Sequence, residues 1–228
     1  MAVGDSYAAS SMLVLNMDAD ETESAVLRRA VAALGTFAGE GFRPRNARVA
    51  RFLDGEGDAM TVFLTHPAYP DVGSSVQVIL GDFGPDGSGE IFLTVHLDEP
   101  GDGLRPAWEM AVALTSQLVA GLNPSLVHLT AWHLDGYGTI YPSTRLLPGS
   151  SLPEEFGPWT YVSGEGLTDR LRDRLASLPA FASHPLGDGW LVRAVEHPDD
   201  EPTDPFLEAL NGLAGEPIGY RPARLAIA

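Results

Sequence analysis

Four short runs between residues 49 and 97 set the strongest constraint on this chain. Residues 49–53, 60–64, 76–80 and 90–97 are each apolar or alternate apolar with polar. Clusters of turn formers separate them: Asp54-Gly55-Glu56-Gly57, then residues 67–74, then residues 84–89. Strands of that length joined by such turns predict an antiparallel meander. A half-buried sheet needs helices over its apolar face.

The flanking sequence supplies them. Residues 11–16 read as a first strand. Asp20 is positioned to cap a helix, with Glu23 reaching back in a capping box. Leu27, Ala30, Val31, Leu34 and Ala38 then fall on one helical face, and Gly39 and Gly41 end it. A second helix starts at Arg105 or Pro106 and runs to Leu122, with Trp108, Ala111, Val112, Thr115, Leu118 and Val119 on one side. Asn123-Pro124 stops it, and residues 127–134 read as a strand. A smaller set follows: strand 159–162, helix 167–178 with Leu171, Leu175 and Leu178 on one face, strand 189–195 and helix 206–213. The expected fold is α+β, with antiparallel sheets and helices packed on one face, in two similar halves. These are residues 1–134 and 159–228, joined by a Gly/Pro-rich connecting loop at 135–158 into one compact unit.

Charge narrows the partners. The net charge is −17, from 31 acids and 14 basic residues, and every basic residue is an arginine. Residues 1–125 carry 17 acids against 7 arginines, and residues 126–228 carry 14 against 7. A negative field spread over both halves repels phosphate backbones, which argues against nucleic acid, and it speeds encounter with a basic protein. Without lysine there is no P-loop lysine and no Schiff base. Without cysteine there is no disulfide, thiolate metal site or cysteine nucleophile. No run approaches the roughly 20 apolar residues of a membrane span. Residues 1–11 carry Asp5 and no basic residue, unlike a secretory signal, so the expected location is cytoplasmic.

Chemistry-bearing motifs are scarce. Asp86-Gly87-Ser88-Gly89-Glu90-Ile91 resembles the middle of a calcium loop, but Gly84 and Val95 stand where two main ligands belong. Asp-Gly and Ser-Gly between strands read instead as a hairpin turn. The six histidines (66, 96, 128, 133, 184, 197) show no i, i+4 zinc spacing. Gly-x-Ser-x-Gly, Rossmann and Walker patterns are missing. The expectation is therefore no catalytic residue, metal or cofactor, and not an enzyme. The rival reading is a hydrolase whose site would gather His133, Asp135, Tyr137 or Glu155 in a deep pocket. A structural module of a larger assembly is a third.

Residues 135–159 are the expected contact surface, because loops held on a rigid scaffold carry recognition. Tyr137, Tyr141, Phe156 and Trp159 cluster there, and aromatics of this kind anchor interfaces. Glu154 and Glu155 add charge for a basic partner. These six residues are the partner-binding candidates.

The same region carries a family resemblance. Trp159-Thr160-Tyr161-Val162-Ser163 follows Gly157-Pro158. A leucine-bearing helix comes next, then Gly187-Asp188-Gly189-Trp190-Leu191-Val192-Arg193-Ala194. Over residues 157–194 this order resembles the C-terminal part of bacterial immunity proteins from polymorphic-toxin and type VI secretion systems. The chain departs from it at Pro158, where glycine is expected, and the N-terminal half matches no quoted motif. The resemblance implies a cytoplasmic protein without catalytic residues that neutralises a cognate toxin, and acidity suits a basic one.

Overall fold

A computed structural model describes residues 7–16, 21–35, 42–57, 61–65, 76–80, 88–96, 104–133 and 141–223. In chain order the elements are β1 (Tyr7–Asn16), α1 (Glu23–Leu34), β2 (Arg43–Pro44), α2 (Ala47–Leu53), β3 (Thr61–Thr65), β4 (Val76–Leu80) and β5 (Ser88–His96). They continue as α3 (Leu104–Leu122), β6 (Leu126–His133), β7 (Glu155–Phe156), β8 (Trp159–Val162), α4 (Asp169–Ala176), β9 (Ala182–Leu186), β10 (Gly189–Arg193), α5 (Asp204–Asn211) and β11 (Gly219–Tyr220). Nine strands form one sheet in the order β2-β3-β4-β5-β1-β6-β8-β10-β9. Every neighbouring pair in it is antiparallel. Strands from residues 1–134 and from 159–228 thus share a sheet, joined where β6 pairs β8 with His128 opposite Thr160. β7 and β11 make a small parallel pair beside it.

Strand alternation divides the apolar residues between two cores. Ala9, Leu13, Leu15, Val127, Leu129, Trp159, Tyr161 and Leu191 face α1 and α3 in the first. α1 opens at Thr22, whose hydroxyl accepts the Ala25 N–H at 3.2 Å. α3 lies against α1, β1, β5 and β6. The two helices approach closely: a Cβ on Gly121 would stand 2.6 Å from the Ala33 Cβ, and Gln117 Nε2 donates to the Ala33 carbonyl at 2.6 Å. Asn123, at φ 49, caps α3 in the left-handed conformation that asparagine tolerates. On the opposite sheet face Leu126, Val162, Trp190 and Val192 join Leu175 of α4 and Phe206 and Leu210 of α5 in a second core. The α+β architecture with helices packed on an antiparallel sheet is as expected, and the second core is an addition to it.

Several local expectations change. Residues 49–53 are helical, not extended: Asn46 accepts the Arg48 and Val49 N–H groups at 3.0 Å each, and Val49 and Phe52 share one buried face. α1 ends at Gly35, and the expected cap Asp20 and stops Gly39 and Gly41 lie outside the described residues. β9, the sheet edge, was not expected because Pro185 and polar residues fill it. β3, β4 and β5 form the meander. Asp86 and Gly87 lie outside the described residues, between two strands that pair antiparallel. No helix among the described residues is long and apolar enough to cross a membrane.

Candidate functional site

Residues 141–158 cross the second core, and a chain of polar contacts ties them to the sheet. The Tyr141 hydroxyl is hydrogen-bonded to the Ser10 hydroxyl on β1. His128, on β6 and fully buried, is the centre of the next tie. A carbonyl can only accept, so His128 Nε2–H donates to the Ser143 carbonyl at 3.2 Å. His128 Nδ1 is then the acceptor for the Thr160 hydroxyl at 3.1 Å, and Thr160 Oγ1 accepts the Gly157 N–H at 2.9 Å. The neutral ring satisfies every member. Burial is the largest cause that holds its pKa down to about 4, opposed by the Ser143 carbonyl and the nearby Glu155 charge.

Glu155 completes the latch. Its carboxylate takes both arms of Arg221, at 2.8 and 2.7 Å, and also the Ser143 N–H at 2.8 Å. The Arg221 guanidinium holds this carboxyl below its usual range, and the Ser143 N–H adds to the effect. The Gly219 N–H bonds the Glu154 carbonyl at 2.8 Å, so β7 is clamped to the C-terminal residues as well. The arrangement fixes the backbone of the segment and keeps Glu155 ionised.

The expected contact residues separate into three groups. Tyr137 lies outside the described residues, as does Asp135, and the His133 side chain is not among those described. Glu154 and Glu155 come together at Ser143, which donates its hydroxyl to Glu154 Oε2 at 3.4 Å, while Tyr141 is held apart on Ser10. Burial pushes the Tyr141 phenol up to about 12. Phe156 and Trp159 are fully buried, one in each core. Neither offers surface to a partner, which corrects their reading as interface anchors: they share a strand-like stretch pinned between the two cores.

The exposed part of the segment is its rim. Leu147 N–H donates to the Leu152 carbonyl at 2.9 Å, and Ser150 N–H donates to the Leu147 carbonyl at 3.0 Å. Gly149 takes φ 69 in this tight turn. Leu147 points into the second core while Leu146 is 44% exposed. A shallow cavity of about 480 Å³ separates the turn from α4, lined by Pro148, Arg170, Leu171, Arg174 and Glu216 among others. Arg174 is anchored there by donating to the Leu213 carbonyl at 2.8 Å. The sequence held one signal for the rim: of two adjacent leucines on extended backbone, one must face outward. Among the described residues no group of three acids or histidines could hold a metal ion.

The glycine-led motif of β10 also gains a physical reason. A Cβ on Gly189 would collide with the Val162 carbonyl oxygen and stand 2.5 Å from the Tyr161 ring. Tyr161 lies across that glycine and donates its hydroxyl to Asp188 at 3.0 Å. The run from Gly187 to Trp190 is thus a packing device on β8 and β10.

No family model matches the chain, and no curated protein is similar to it in sequence. Among solved structures it is similar in fold to the Pseudomonas aeruginosa T6SS protein PA0821. The two share 12% sequence identity at a TM-score of 0.52, over 94% of this chain and 74% of that one.

Proposed function

We propose that this chain is a non-catalytic protein-binding factor of a bacterial toxin-secretion system, an immunity protein that neutralises a cognate basic toxin in the cytoplasm. The observation that carries the reading is the fold likeness to a T6SS protein along nearly the whole chain. The charge of −17 suits capture of a basic partner. The contact surface in this reading is the rim of the 141–158 segment, centred on Leu146, with Glu216 on the cavity wall and Asp169 and Asp173 exposed on α4. Tyr141, Glu154 and Glu155 contribute by holding the rim in place.

The test is co-expression with the toxin encoded beside this gene, scored by growth rescue and by pull-down. Leu146→Asp is expected to weaken binding about tenfold while leaving the fold intact, as for a central apolar anchor. Absence of rescue, or of any toxin gene in the neighbourhood, overturns the reading.

A further inference from the structure

The cavity between the turn at 147–150 and α4 combines an apolar lining with positive charge, in a chain whose net charge is −17. Leu147 and Leu213 line it and are buried, and Leu171 lines it half-buried. Arg170 and Arg174 line it as well, four residues apart on α4 and so on one helix face. Glu216 is the acid on the lining, so two positive charges stand against one negative.

Both arginines have donors to spare. Neither has an acidic partner within ion-pair distance among the described residues. Arg170 is exposed and makes no hydrogen bond with them. Arg174 is fixed in place: its Nη1 donates to the Leu213 carbonyl at 2.8 Å and the Gly212 carbonyl at 3.4 Å, just past the end of α5. Its Nε and Nη2 hold no partner among the described residues. The turns on the other sides of the cavity leave it accessible. A Cβ on Gly149 or Gly215 would meet nothing within 4 Å.

We infer that this cavity captures the C-terminal residue of the protein partner. The apolar last side chain lies on Leu147, Leu171 and Leu213, and the free α-carboxylate accepts hydrogen bonds from Arg170 and Arg174. The inference rests on the proposal that the rim is the contact surface. A terminal residue carries its carboxylate and its side chain on one Cα, so the two enter together. In an extended internal segment, neighbouring side chains point to opposite faces, and an acid beside an apolar residue cannot bring both into one cavity. Capture of a C-terminal carboxylate is an established mode of peptide recognition. The cavity is shallow, at about 480 Å³, which suits one residue of a chain continuing outside. A small-molecule pocket instead buries roughly 70–90% of its ligand. Charge-assisted bonds from a guanidinium are roughly twice as strong as neutral ones. Salt confines the repulsion of the remaining acidic surface to about 8 Å. Net charge thus draws in a basic partner, while the arginine pair selects how it sits.

The experiment titrates the isotope-labelled full chain with an N-acetylated tripeptide, glycine followed by two leucines, that ends in a free carboxylate. Amide chemical shifts report binding. The comparison probes are the same tripeptide amidated at its C-terminus and an amidated peptide with a glutamate between two leucines. The free acid is expected to bind in a salt-sensitive way, to move the Gly149, Ser150 and Gly215 amides, and to bind about tenfold more tightly than its amide. Arg170→Gln is expected to lower that affinity about tenfold and Glu216→Gln to raise it. Both side chains are exposed, so circular dichroism stays unchanged. Equal binding of acid and amide, unaltered binding by Arg170→Gln, or tighter binding of the internal-glutamate peptide overturns the inference. So does a titration that leaves those three amides unmoved. No toxin is present in the titration, so a failed rescue and a failed capture are separate results.

Discussion

Acidification from pH 7 to pH 5 is expected to destabilise the protein by about 2 kcal/mol through His128 alone. The ring titrates at about 4 in the folded state because it is buried, against about 6.5 in an unfolded chain. Between those values the unfolded chain holds a proton that the folded protein refuses. The stabilisation is therefore fully present above about 6.5 and is lost as the pH falls toward 4. Each tenfold change in proton concentration within that window is worth about 1.4 kcal/mol, and the interval from 7 to 5 takes in about one and a half of them. Protonation would also turn His128 Nδ1 into a donor, leaving the buried Thr160 hydroxyl to find another acceptor. Glu155 does not blur the window. Its pKa is lowered from 4.5, so the stability tied to it is present above that value and is lost only below it. The assay is urea unfolding at stepped pH, followed by tryptophan fluorescence, for the wild type and His128→Gln. The variant is expected to be weaker at pH 7 but to lose much less between pH 7 and 5. A variant with the wild-type slope, or a wild type whose midpoint does not move, refutes the reasoning.

Other perturbations separate the latch from the cores. Glu155→Gln breaks the bidentate contact with Arg221; both side chains are partly exposed, at 25% and 32%, so the cost in urea unfolding is about 1 kcal/mol rather than that of a buried pair. Little or no change on Glu155→Gln would mean the contact does not hold the segment. Gly189→Ala forces a methyl against the Val162 carbonyl and the Tyr161 ring and is expected to cost about 2–4 kcal/mol; a neutral thermal midpoint would sink that account of the motif. Phe156→Ala is expected to cost about 3–5 kcal/mol as a core deletion, whereas Leu146→Ala stays within about 0.5 kcal/mol; reversal of that order would return Phe156 to the surface.

Long periodic segments were legible in the residues. The α3 pattern around Trp108, Ala111 and Leu118, and strand β8, appear at the expected positions because burial and local preference agree there. The run 49–53 was not legible as a helix. A short apolar run fits either period, and the deciding group was the Asn46 cap outside it. The candidate site was half legible. Gly, Pro and aromatic residues marked 135–158 as an irregular segment, but nothing local showed that Phe156 and Trp159 point into separate cores. His128 was read as one histidine among six, because its partners Ser143 and Thr160 lie 15 and 32 residues away.

β1 lies at the middle of the sheet, paired with β5 on one side and β6 on the other. Ala8 meets His96, 88 residues later, and Trp132, 124 residues later, so β1 waits for β5 to cover one edge and longer still for β6 to cover the other. Contacts this distant slow folding and leave an apolar strand with two bare edges during synthesis. The protein therefore depends on whatever shields nascent chains to a degree that its final stability does not reveal. Chains broken off before β6 leave one edge of β1 bare and are expected to aggregate or be proteolysed.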